Sequence, residues 1–269
     1  MIRNYSKTIG ALAAASALAA GYASAEIEGQ VHIGYNSQYI FRGVDLGEDM
    51  VEAGADVSTT WNGFGLSAGL WYASIQGGNF ANFGPVQLPD QSSELDLYGG
   101  VSKDLGFATA SIGYIWYHNQ DAEVSFLGQS LKLIDDSQEI YFGLNRELFW
   151  GINGSLTYYW DIETDNNGYT ELALDKTFKL HDCVDLVTSA KLGYAAEEGQ
   201  IQHTTLGVTL NIKATDTVTV SPYVAYSFQG SALEGVNSNP IGKFIPGLPY
   251  FANDQRDQFF GGVKLAVSF

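Results

Sequence analysis

Cysteine is nearly absent from the sequence. The 269 residues include a single cysteine, Cys183, so no disulfide can form within the chain and no cluster of cysteines can hold zinc. A nucleophilic cysteine would need a histidine partner, and the nearest histidine, His181, lies two residues away in the segment KLHDCVDL. We interpret this pair as neighbours in a turn, so cysteine predicts neither a metal site nor a catalytic site.

Long hydrophobic runs are also scarce. After residue 25 no window holds 18 consecutive apolar residues, and the mean hydropathy of −0.04 argues against a helical membrane protein. Any crossing of a membrane would therefore have to be made by strands. Disorder is disfavoured as well, because 45% of the residues are apolar and the chain carries 16 Tyr and 15 Phe.

Positive charge is the third scarcity. The chain has 13 Lys and Arg against 30 Asp and Glu, which gives a formal net charge of −17. Nucleic-acid binding needs clustered cations, so we expect no nucleic-acid partner. The sequence also contains no phosphate-binding loop, dinucleotide fingerprint or metal-ligand spacing. We therefore predict a protein without a cofactor and without enzymatic activity.

The N-terminal residues 1–25 have the pattern of an export signal. Arg3 and Lys7 form a positive region, an apolar stretch follows, and Ala23-Ser24-Ala25 offers a small-residue cleavage site. The apolar stretch is shorter than the ~20 residues that a spanning helix needs. We predict cleavage after Ala25, which leaves residues 26–269 as one domain with a charge of 11 − 30 = −19.

Most of the remaining chain alternates between apolar and polar residues. In one segment, Leu206, Val208 and Leu210 alternate with Thr205 and Gly207, as in a strand with one apolar face. Most segments have ten or eleven residues, which suits a tilted strand that crosses a bilayer. The twelve segments are 27–41, 51–61, 64–74, 93–102, 107–117, 138–145, 150–160, 169–179, 184–194, 203–213, 218–228 and 258–269.

The gaps between these segments alternate in length. They contain 9, 2, 18, 4, 20, 4, 8, 4, 8, 4 and 29 residues, and the shortest is the hairpin dipeptide Asn62-Gly63. Such alternation is typical of outer-membrane barrels, which have short periplasmic turns and long external loops. The pattern predicts an all-β fold: a transmembrane antiparallel up-and-down β-barrel of about 12 strands. Within loop 118–137 we expect a further hairpin above the membrane.

Aromatic residues lie near the ends of the predicted strands. Rings at both water–lipid boundaries form the girdles of a membrane barrel. The chain ends with an alternating strand and Phe269, a signature by which the barrel-assembly machinery recognises outer-membrane barrels, so we predict that Phe269 is the insertion signal. The predicted girdle consists of Phe41, Trp61, Tyr72, Trp116, Trp150, Trp160, Tyr194 and Phe228.

Part of the sequence is also familiar. The segment SQYIFRGVDLGEDMVEAGADVSTTWNGFGLSAGLWYAS (37–74) resembles the opening of the TorF (Gcw_chp) family of outer-membrane porins. The segments ELDLYGGVSKDLGFATASIGYIWYH (94–118) and SQEIYFGLN (137–145) are similar to the same family. Because the shared residues are strand and turn residues, the resemblance implies a barrel in the bacterial outer membrane and leaves the substrate open.

The polar parity of the strands is expected to face the lumen. It carries seven carboxylates and three cations, and an acidic lining attracts cations and repels anions. We expect Arg42 to cluster with acidic residues of strands two and four, either as a selectivity ring or as a salt-bridge network that fills the barrel. The candidate lumen residues are Arg42, Glu52, Asp56, Glu94, Asp96, Glu139, Glu171, Asp175, Lys191 and Lys264.

Three functions fit this pattern. The favoured hypothesis is a narrow passive channel for small polar solutes, because twelve strands enclose less space than a sixteen-stranded porin. The second is a non-conducting barrel that presents loops 75–92 or 229–257 to a partner; the latter loop is also a candidate to fold into the lumen. The third and least favoured is a lipid-modifying enzyme that uses His32 or His203.

Overall fold

The computed structural model describes residues 27–76, 91–120, 123–126, 129–132, 136–163, 167–234 and 257–269. The predicted signal peptide lies outside the described residues. Within them the chain is almost entirely strand, with single 3-10 turns at Phe149–Gly151 and Ser231–Leu233. No helix in these ranges is long and apolar enough to span a membrane.

The described strands follow the alternating segments of the sequence, because β-branched and aromatic residues on one parity favour a pleated, half-buried surface. The bounds are β1 Glu28–Phe41, β2 Val44–Trp61, β3 Phe64–Gln76, β4 Gln91–Asp104, β5 Thr109–Gln120, β6 Glu123–Phe126, β7 Gln129–Lys132, β8 Ser137–Glu147, β9 Ile152–Asp161, β10 Tyr169–His181, β11 Val184–Ala195, β12 Gln200–Lys213, β13 Val218–Gln229 and β14 Gln258–Ser268.

Twelve of these strands form a closed antiparallel barrel in the order β1-β14-β13-β12-β11-β10-β9-β8-β5-β4-β3-β2. The seam between the first and last strands runs from Gln30 opposite Ser268 to Asn36 opposite Gly262. The predicted barrel is thereby confirmed. The remaining strands, β6 and β7, pair only with each other, as expected for a hairpin within loop 118–137.

The first connection differs from the prediction. Residues 42–50 were expected to form a long external loop, but β2 begins at Val44 and only Arg42-Gly43 separates it from β1. Both turn residues have positive φ, 52° and 83°, as a two-residue hairpin turn requires. The prediction failed because polar residues in DLGED interrupt the alternation while the backbone pairing continues. The expected Asn62-Gly63 turn is present, with φ of 49° and 72°.

Alternation divides the wall into two faces. On β1, Val31 and Ile33 are exposed on the outside, whereas His32 and Asn36 are buried on the inside. The same division recurs around the ring, so large apolar side chains cover the outer surface. A buried apolar cluster lies inside the barrel, and its members are Tyr39, Ile40, Met50, Trp71, Ala73, Ile75, Ala225 and Phe260.

The seam leaves no space for a side chain at Gly262. A Cβ added there would lie 2.2 Å from the backbone oxygen of Tyr35 and 2.7 Å from Oδ1 of Asn36. We predict that Gly262→Ala lowers the free energy of unfolding by about 1–3 kcal/mol, because the backbone at the seam must shift. Urea titration of the folded protein in detergent or vesicles measures the change.

Gly99→Ala is the matched control, since its added Cβ would meet nothing nearer than 3.2 Å. Gly99→Ala should lower the free energy of unfolding clearly less than Gly262→Ala does. If both variants lose the same free energy of unfolding, the close backbone packing assigned to the seam at Gly262 is contradicted.

Candidate functional site: the barrel lumen

The structure places the predicted lumen residues on the inner side of the barrel wall, apart from Arg42, which reaches the lumen from the β1–β2 turn. Glu52, Glu94, Glu139, Glu171 and Lys191 are each at most 5% exposed, and Asp96 is fully buried. Asp56, Asp175 and Lys264 are partly exposed on the same inner parity. The alternation of polar and apolar residues in the sequence therefore predicted that these side chains point inward.

Carboxylates on the β2–β4 side of the lumen are bound by aromatic donors. The indole nitrogen Nε1 of Trp71 donates to Glu52 at 2.9 Å. The hydroxyl of Tyr39 donates to Glu94 at 2.8 Å, and that of Tyr98 donates to Asp56 at 2.5 Å. These acids therefore sit in a packed network, in which hydrogen bonds to neutral donors offset the loss of water.

Arg42 does not join that network. It binds Glu139 on β8 through two hydrogen bonds, Nη1 to Oε1 at 2.7 Å and Nη2 to Oε2 at 2.8 Å. The hydroxyl of Tyr117 donates to the same carboxylate at 2.7 Å. The expected cluster of Arg42 with Glu52, Asp56, Glu94 and Asp96 is thus wrong about the partner, because the turn directs the guanidinium across the lumen.

Three rings surround the Arg42 guanidinium. Its central carbon lies 4.8 Å from the ring centre of Phe41, 4.6 Å from Tyr159 and 4.3 Å from Tyr169. Cation–π attraction is strongest where the cation is shielded from water, and the Arg42 side chain is only 13% exposed. The bidentate pair and the rings together fix the guanidinium in one orientation.

A second ion pair and a chain of hydrogen bonds lie on β10–β13. Lys191 Nζ is 3.1 Å from Glu171 Oε1, and both side chains are buried. The Tyr169 hydroxyl lies 2.7 Å from Nε2 of His203, whose Nδ1 lies 3.1 Å from the Thr205 hydroxyl. His203 is fully buried, and His32 on β1 is 3% exposed, so both histidines weighed for an enzyme lie on the inner face of the wall.

Phe41 is a correction to the predicted girdle. Its ring packs against Tyr117 at a centroid distance of 6.2 Å and lies beside Arg42, so it points into the lumen. The pairing of β1 with β2 shifts register between Gln38 and Ile40, and beyond the shift both Tyr39 and Ile40 are buried, so alternation no longer assigns an outer face there. The other seven residues lie on the outer face or at its edge: Trp61, Tyr72, Trp150, Trp160, Tyr194 and Phe228 are exposed, and Trp116 stacks on His118.

The C-terminal Phe269 extends the seam by one residue. Its backbone nitrogen donates to the oxygen of Gly29, and the nitrogen of Gly29 donates back, both at 2.9 Å. The ring is 69% exposed and lies where a side chain at Gly29 would stand. Its role as an insertion signal stays a prediction.

Sequence reasoning missed the inward position of Tyr39, which binds both an acid and Trp71. Tyr39 and Phe41 continue the spacing of Val31, Ile33 and Tyr35, so alternation assigned them to the lipid face. The available signal was the short dipeptide Arg42-Gly43, which suits a tight turn better than a long loop.

A closed antiparallel barrel with apolar side chains outside and charged side chains inside is the architecture of outer-membrane barrels. The sequence matches the model of a family described as "bacterial protein of unknown function (Gcw_chp)" over residues 19–232. The chain belongs to this family.

Solved structures are similar to this chain at low sequence identity. An outer membrane channel from Pseudomonas putida F1 is 9% identical, with a TM-score of 0.51 over 93% of this chain and 97% of that chain. The KdgM porin is 12% identical, with a TM-score of 0.47 over 89% of this chain and 99% of that one. The NanC porin is 12% identical, with a TM-score of 0.46 over 89% and 98%. Comparison with curated proteins gives no match.

The buried pair of Lys191 and Glu171 yields a stability prediction. Replacing Lys191 by Met leaves a buried carboxylate without its cation, so we expect Lys191→Met to lower the free energy of unfolding by about 3–5 kcal/mol. The double variant with Glu171→Gln should recover most of that loss. Urea titration measures both changes.

Lys179→Met is the matched control. Its ion pair with Asp182 spans 3.1 Å, but the two side chains are 67% and 92% exposed. Solvent screening limits such a pair to about 1 kcal/mol or less. A loss at Lys191 as small as that at Lys179 would contradict the buried pair.

Proposed function

We propose that this protein is a narrow passive channel in the bacterial outer membrane, a TorF-type porin for small polar solutes with a preference for cations. The observation that carries the proposal is the charge of the inner face. The ten candidate lumen residues, all within the described ranges, comprise seven carboxylates and three cations, a balance of 7 − 3 = 4 negative charges. Acidic linings raise the local concentration of cations and exclude anions.

The bilayer and the assembly machinery are the proposed partners. Apolar side chains such as Val31, Ile33 and Leu70 are exposed on the outer face, where lipid would cover them. Phe269 at the end of the last strand is the proposed point of recognition for the barrel-assembly machinery. The end of the barrel with the Asn62-Gly63 turn would then face the periplasm, and the end with the long loops and the β1–β2 turn would face the exterior.

A non-conducting interaction barrel is the second candidate. The observation that favours it is the packing of the lumen, in which Arg42 binds Glu139 and Lys191 binds Glu171. Such a barrel would act through loop 75–92 or loop 229–257, most of whose residues lie outside the described ranges. Its lumen charges would serve stability alone.

Conductance separates the two candidates. In planar bilayers the wild-type protein should give small discrete conductance steps and a reversal potential that favours cations. The variant Glu52→Gln, Asp56→Asn, Glu94→Gln, Asp96→Asn removes four inner charges and should bring the cation-to-anion permeability ratio close to one. Reversal potentials in asymmetric salt measure the ratio.

The control removes the same number of charges elsewhere. Glu197, Glu198, Asp182 and Asp216 lie in exposed turns, and their amide variants should leave the permeability ratio unchanged. If the folded wild-type protein gives neither conductance nor swelling of sugar-loaded liposomes, the channel is refuted. A partner captured by the external loops would then support the interaction barrel.

A further inference from the structure

The end of the first hairpin leaves the barrel wall. On one side, β1 pairs with β14 only as far as Asn36. On the other side, pairing between β2 and β3 is regular from Val51 onward and shifts register between Glu48 and Val51. We call residues 38–47 the hairpin tip. It has its own pairing, Ile40 with Asp45 and Phe41 with Val44, so it is a two-stranded unit attached to the wall at its base.

The tip crosses the full width of the lumen. In the order of the closed barrel, β9 is six strands from β1 in either direction, so it is the opposite wall. Arg42 at the end of the tip nevertheless lies over the ring of Tyr159, which belongs to β9. It also contacts Tyr169 on β10 and Glu139 on β8, the two strands that flank β9.

The tip also contacts the wall along its length, on strand β12. The Gln202 side chain donates to the backbone oxygen of Arg42 at 2.9 Å, and a Cβ added to Gly43 would lie 2.5 Å from Cβ of His203. Both partners belong to β12. Gly43 therefore permits the backbone of the tip to lie directly on that wall.

The other face of the tip packs on the strands near its base. Tyr39 lies 5.9 Å from the Trp71 ring on β3 and donates to Glu94 on β4. Ile40 is fully buried in a cluster with Ala225 on β13 and Phe260 on β14. Side chains of the tip thus contact β3, β4, β13 and β14 near its base and β8, β9 and β10 on the opposite side of the barrel.

We propose that the hairpin tip is the constriction of the channel and that Arg42 is the positioning residue that holds it across the lumen. This inference rests on the proposed channel function and assigns its narrowest point. The wall is held by continuous backbone pairing, whereas contacts at the end of the tip include the Arg42–Glu139 pair, the surrounding rings and a hydrogen bond from Gln202. Loss of the pair should let the tip pivot at the irregular residues at its base, where Asp49 has a φ of 48°.

A buried thiol reports the position of the tip without relying on conductance. In a Cys183→Ser background, which removes the single exposed cysteine, Ile40→Cys places a thiol on the tip, within the buried cluster that the tip forms with the wall. The folded protein in vesicles is treated with a small water-soluble methanethiosulfonate. Without further change the thiol should react slowly, while Cys183 in the unsubstituted chain gives the rate for an exposed thiol.

Arg42→Ala and Glu139→Ala remove the two halves of the pair separately. Each should raise the labelling rate of Cys at position 40 by about tenfold or more, since each removes a buried charge-assisted pair. Each should also raise the single-channel conductance several-fold. Arg42→Lys, which keeps the charge without the bidentate geometry, should give intermediate values.

Lys191→Met is the control for general loosening. It removes one positive charge and one buried ion pair, as Arg42→Ala does, but Lys191 on β11 and its partner Glu171 on β10 both belong to the wall. It should leave the labelling rate of the thiol at position 40 near that of the background without it. Equal effects of Lys191→Met and Arg42→Ala would overturn the assignment of Arg42 as a positioning residue.

The two readouts distinguish this inference from the proposed function. Faster labelling together with higher conductance supports both. Faster labelling with no conductance in any variant supports the holding role of Arg42 and overturns the channel. Unchanged labelling in folded Arg42→Ala overturns the inference, whether or not the wild-type protein conducts.

Discussion

Closure of the backbone ladder is the constraint on which every other feature of this barrel depends. Each of the twelve wall strands pairs on both edges, and the ring is completed where β1 meets β14. A membrane offers no water to unpaired amides and carbonyls, so an open edge would be costly there. Closure also fixes the direction of every side chain, because the pleat turns successive residues to opposite faces. The apolar exterior and the charged interior follow from the same pairing.

The interior is consequently a confined place for charge. Acids from β2, β4, β8 and β10 face one another across a ring of only twelve strands, and most are bound by hydroxyl, indole or cationic donors. Removing a donor leaves a buried carboxylate unsatisfied, which is more costly than never having the pair. Stability and selectivity would therefore draw on the same residues in such a lumen. The first hairpin narrows the lumen further. Its tip lies inside the ring, whereas a strand that stayed in the wall would leave that space open.

Much of this arrangement could be predicted from the sequence. Alternation located the wall strands and the direction of Glu52, Glu94, Glu139 and Lys191, because it is a local property of each strand. The tip could not be predicted, since the register shift near Gln38 ends the division into an inner and an outer face without disturbing the apolar spacing of the sequence. The pairing of Arg42 with Glu139 depends on the diameter of the ring. These residues are 97 positions apart, and no local pattern encodes which strand stands opposite β1.

The position of the tip has a consequence for the order of assembly. Arg42 lies on the first hairpin of the chain, but Glu139, Tyr159 and Tyr169 are contributed by strands that follow much later. A partly assembled sheet offers Arg42 no opposite wall, so its binding partners come within reach only as the sheet curls into a ring. The ion pair of Arg42 with Glu139 therefore forms at the same stage as the seam between β1 and β14. In a barrel that has not yet closed, the guanidinium of Arg42 would still lack its partners. Burying this charge before closure is unfavourable, so the guanidinium would stay in contact with water until then.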